Sequence, residues 1–62
     1  MVSPEVIAEV QGRVKTAEAA LADLRDHVQR LKKAGLNEDA AKLGAQADKL
    51  QAQLTALKLA YS

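Results

Sequence analysis

The sequence predicts an all-α fold: an antiparallel two-helix hairpin, assembling into a four-helix bundle. Three observations predict it. Alanine, leucine, glutamine, lysine and glutamate, all good helix formers, dominate the 62 residues. Apolar residues recur at alternating spacings of three and four in two separate runs. The two runs differ in phase, and the stretch between them, KKAGLNEDAAKL over 32–43, carries the signals of one helix stopping and another starting.

The first helix is expected over about 4–34. Ser3 is a fitting N-cap, Pro4 takes the first helical position, where its missing N–H costs nothing, and Glu5 follows in the first turn. Its apolar stripe is Ile7, Val10, Val14, Ala17, Leu21, Leu24, Val28 and Leu31. With Ile7 at heptad position a, the a residues are Ile7, Val14, Leu21 and Val28, and the d residues are Val10, Ala17, Leu24 and Leu31. Lys32 and Lys33 stand in the last turn, where cations suit the negative end of the helix dipole.

A turn is expected over about 35–37 and a second helix over about 38–61. Gly35 fits the left-handed position just past a helix end, with Leu36 folding back on the last turn. Asn37 is a suitable N-cap, ahead of Glu38 and Asp39 at the positive helix end. The second stripe runs Leu36, Ala40, Leu43, Ala47, Leu50, Leu54, Leu57 and Tyr61, with Leu36, Leu43, Leu50 and Leu57 at d. Extending the first stripe through the turn would put Gly35, Glu38 and Lys42 on the seam, so one continuous rod is disfavoured. The i,i+4 pairs Glu9–Arg13, Asp26–Arg30 and Glu38–Lys42 add a few tenths of a kcal/mol each.

A short connection makes neighbouring helices antiparallel. Setting Leu31 opposite Ala40 then generates the layers Val28/Leu43, Leu24/Ala47, Leu21/Leu50, Ala17/Leu54, Val14/Leu57 and Val10/Tyr61. Each layer joins an a residue to a d residue, and alanine never meets alanine, as a seam of even width requires. The expected arrangement is a single helical-hairpin domain over 1–62.

Chains below roughly 70–80 residues seldom stabilise themselves with one core. With no cysteine there are no disulfides or thiolate metal sites, so association is the remaining route. A homodimer is the favoured partner arrangement, with a helical protein partner as the other form of it. The g flank is the drier one, carrying Val6, Arg13, Ala20, His27 and Ala34 with Asp39, Gln46, Gln53 and Ala60, whereas the e flank carries Gln11, Glu18, Arg25, Lys32, Gly44, Gln51 and Lys58. Gly44 and the small residues along the back of helix two, Ala45 and Ala52 with Leu59, are further candidates for an outer contact.

Little points to chemistry. His27 is the single histidine, with Asp23 one turn before it, and two such groups on one helix do not make a metal or catalytic site. No glycine-rich phosphate loop occurs, and no cofactor is implied. The chain reads as a non-enzyme. The longest apolar run, AALA at 19–22, is far too short to span a membrane or form a signal-peptide core, and a reducing cytosol suits the chain.

Arg25, Arg30, Lys32, Lys33 and Lys42 gather near the hairpin tip and offer contacts to nucleic-acid phosphates. Asp23, Asp26, Glu38 and Asp39 share that end, the net charge is only +1, and Tyr61 is the sole aromatic. In length, hairpin plan and alternating small and large layers, the chain resembles the Rop (RNA one modulator) family. That resemblance implies a dimeric four-helix bundle binding paired RNA loops through one helix face. It rests on the plan of the chain and on no motif; the family's RNA-binding face features an aromatic, and this sequence has no Phe. The function expected from the residues is therefore a structural or regulatory interaction module that self-associates or docks on a larger assembly. An RNA-binding regulator, or an accessory subunit of a viral or cellular complex, are the alternatives.

Overall fold

A computed structural model describes residues 3–61. Two α-helices, α1 (Pro4–Lys33) and α2 (Asn37–Ala60), form an all-α helical hairpin. It measures 49 × 15 × 10 Å. Thirty residues at about 1.5 Å each account for the long dimension. The radius of gyration is 14.6 Å, against about 10.5 Å for a compact chain of this length.

The start of α1 follows the local chemistry. Ser3 is extended, its hydroxyl oxygen accepts the Val6 N–H at 3.3 Å, and its carbonyl accepts from Ile7. Pro4 is the first helical residue. At the other end Gly35 has φ +83°, and the chain closes a double loop of hydrogen bonds. The Leu36 N–H donates to Leu31 O at 2.9 Å and the Gly35 N–H to Lys32 O at 3.0 Å. Both bonds need the left-handed residue between them.

Asn37 departs from expectation: it is the first residue of α2, and Leu36 occupies the capping position without a side-chain cap. One residue serves both helices. Its N–H completes the end of α1, while its carbonyl accepts from Ala40 N at 2.9 Å to open α2. A reversal this tight leaves no residue free to cap α2 with a side chain. Glu38 and Asp39 in the first turn supply the favourable negative charge instead. Leu36, expected on the seam, is 49% exposed because it spans the turn.

The core lies along one line. Val14, Val28, Ala40, Ala47 and Leu54 are buried, Ala47 completely. Ile7, Val10, Ala17, Leu21, Leu24, Leu31, Leu43, Leu50 and Tyr61 are half-buried. Leu57, also expected in the core, is 36% exposed near the open end. The expected pairs Glu9–Arg13 and Asp26–Arg30 form at 2.9 and 3.1 Å, whereas Glu38 and Lys42 form no ion pair. Among the described residues no helix is long and apolar enough to cross a membrane.

Candidate interaction surface

Heptad geometry sorts the seam into two halves. Around a helix, d lies between a and g, and a lies between d and e. All five buried residues occupy a positions. Every described d position, from Val10 to Leu57, is half-buried or exposed. The two helices are thus rolled so that the seam is better covered on its a side than on its d side, the covered and the open side respectively.

Side chains from both helices close the covered side. Lys58 donates to Glu18 Oε2 at 3.0 Å. Arg25 reaches Asp48 Oδ1 at 3.4 Å through both terminal nitrogens and also donates to Gln51. Glu18, Arg25, Gln51 and Lys58 are all e residues, so e faces e across the hairpin. Gly44, another e residue, lies under this roof: a Cβ placed on it would meet Val28 Cγ1 at 3.9 Å.

Among the described residues no inter-helix ion pair or side-chain hydrogen bond bridges the open side. Val6 is 42% exposed, and Arg13, Ala20 and His27 on α1 and Ala34 at its C-cap are exposed with Asp39, Gln46, Gln53 and Ala60 on α2. Between these two g rows lie the half-covered leucines 24, 31, 43 and 50. The result is a partly exposed apolar face with a mixed polar rim. Outside each g row lies position c: Glu9, Thr16, Asp23 and Arg30 on α1, Lys42, Lys49 and Ala56 on α2.

The residues proposed from sequence for an outer contact do not share one surface. Ala20, His27 and Ala34 line the open side. Ala45, Ala52 and Leu59 lie on the outer back of α2, with Leu59 73% exposed. Gly44 belongs to the covered side. Sequence inspection found the dry g flank but missed that the d leucines open onto it; the signal available was alanine at two successive a positions of α2.

A concavity of about 300 Å3 sits on the a and e side near the open end, between Val10, Val14, Leu57 and Tyr61 and edged by Gln11, Lys15, Glu18 and Lys58, and a further groove on that side runs past Val28, Ala40 and Gly44. At the tip, Arg25 is engaged with Asp48 and Gln51 and Arg30 with Asp26, while Lys32, Lys33 and Lys42 are exposed. Among the described residues no three His, Cys, Asp or Glu side chains converge as a metal site. Asp23 and His27 are both exposed on α1. No family model matches this chain, and no match was found among curated proteins or solved structures.

Proposed function

We propose that the chain is a non-catalytic structural or regulatory module that works by docking its open helix face, with self-association into a four-helix bundle as the favoured form. The uneven burial of the seam carries this reading. A folded chain of 6.6 kDa is expected to expose about 3,900 Å2 by the scaling of surface with mass, whereas this hairpin exposes 4819 Å2. Leucine is costly to leave half wet, at roughly 25 cal/mol per Å2 of apolar surface. A face with five buried residues behind it and leucines along it is one that gains by being covered.

The nucleic-acid reading has less support, since two of the five tip cations are spent on neighbouring side chains. Sedimentation from about 1 to 100 μM, a range spanning ordinary specific affinities, tests the proposal. Twice the chain mass, with the apparent mass rising over that range or already doubled, is expected. A single monomeric species throughout overturns self-association.

A further inference from the structure

We infer that the concavity near the open end of the hairpin is a binding site for a small amphipathic carboxylate, with its alkyl tail between the helices and its head group on Lys15. The site lies on the covered side of the seam and does not rest on the self-association proposed above.

The cavity exists because the bridging of the two helices stops short of it. Among the described residues, Glu18–Lys58 is the inter-helix bridge nearest the open end. One heptad further out on α1 the e position is Gln11, and α2 ends at Ala60, so no described e residue of α2 reaches across to it. The apolar side chains beneath are left without a roof: Val10 and Val14 from α1, Leu57 and Tyr61 from α2. A volume of about 300 Å3 stands at the lower end of the range for small-molecule pockets, about 300–1,000 Å3. A slot between two helices takes a narrow, linear tail.

The rim selects the head group. Glu18 spends its charge on Lys58, whose Nζ lies 3.0 Å from Oε2. Lys15, the other cation on the rim, forms no ion pair or side-chain hydrogen bond among the described residues. The remaining polar groups there, the Gln11 amide and the Tyr61 hydroxyl, are neutral and able to donate. One unspent ammonium with neutral donors beside it complements a single carboxylate. A cationic head would meet Lys15 with no free acid to offset it, and such like-charge contacts discriminate between ligands. Lys15 is exposed, so water screens its pull on the head, and the buried tail supplies most of the affinity.

Tyr61 is the only aromatic residue in the sequence, so its fluorescence reports on this cavity without a label. Titration with octanoate is expected to change that emission saturably, with a Kd on the order of 1 mM or tighter, ordinary for a ligand of about ten non-hydrogen atoms. The methyl resonances of Val14 and Leu57 are expected to shift along the same curve. Hexanoate is expected to bind several-fold more weakly, since each fully buried methylene is worth roughly a factor of four. Lys15→Glu is expected to weaken octanoate roughly fivefold and to leave octanol unchanged, whereas Lys33→Glu, an equal change of net charge at the tip, leaves both unchanged. Absence of any saturable change up to about ten times that Kd overturns the site, as do shifts confined to Leu43 and Leu50, which would put the tail on the open face. Octylammonium binding as tightly as octanoate, or equal losses in the two lysine variants, overturns the assignment of the head group to Lys15.

Discussion

The two sides of this hairpin use the same heptad differently. On the covered side five of the eight described a residues are buried, and the most buried are not the largest: Ala40 is 1% and Ala47 0% exposed. On the open side leucines 43 and 50, from the same helix, remain half wet. Small residues at a let the helices roll towards each other there, and the e side chains of both helices then reach across. The longer d side chains are rolled outward by the same motion. A seven-residue pattern thus fixes which residues share the seam, while the alanines at two a positions of α2, beside leucines at d, favour closure on the a side.

The largest effect expected from breaking this contrast comes at Leu54. Truncating a buried leucine to alanine costs about 2–5 kcal/mol, and a hairpin this small has a margin of no more than about 3–5 kcal/mol. Leu54→Ala, 7% exposed in the native chain, should therefore lose most of its helical circular dichroism in dilute solution. Leu50→Ala, half-buried, should cost roughly half as much when dilute. Its penalty should grow with concentration as the open face becomes covered. Urea melts of both variants at two concentrations check this. Equal losses in the dilute chain would mean the seam has no open half.

Much of the fold was readable from residues alone, for physical reasons that differ by element. Ser3–Pro4 and Gly35 act through a few neighbouring backbone groups, so local chemistry decides them, and both are realised. The stripe was readable because a three-four spacing has only one helical interpretation. Leu36 and Asn37 were misplaced by one function: a residue that closes one helix and opens the next cannot be recognised by its own preference as a cap. Leu57 depends on the distance between the helix ends, which the spacing does not encode. The open face was half visible. Its dry g row could be counted, but the roll that exposes the d leucines is a property of two helices together.

Two glycines provide the next, smaller test, one at the tip and one on the covered side. Gly35 has space around it but holds φ +83°, which costs an L-residue about 1–2 kcal/mol. Gly35→Ala should destabilise by that amount without any clash. Gly44 sits inside α2 with helical backbone, and an added methyl would reach Val28 at an ordinary contact distance. Removing a mid-helix glycine is worth about 0.5–1 kcal/mol, so Gly44→Ala should stabilise the hairpin. Thermal melts give opposite signs if the covered side is packed as described. A destabilised Gly44→Ala variant would mean that the helices approach too closely there to admit a methyl.

The smallest effect concerns what closes the covered side. Glu18 and Lys58 span the helices at 3.0 Å, yet their side chains stay 44% and 55% exposed. Solvent screens such a pair, and exposed ion pairs are typically worth a few tenths of a kcal/mol. The a residues beneath, not the bridge above them, should therefore carry the stability of this side. Lys58→Ala is expected to shift the urea midpoint only slightly, and added salt should reduce even that difference. A loss above about 1.5 kcal/mol, persisting in high salt, would exceed what an exposed pair supplies. The lysine's methylene stem would then be acting as a lid over the apolar seam, and the division between a sealed side and an open one would depend on long e side chains as much as on alanine at a.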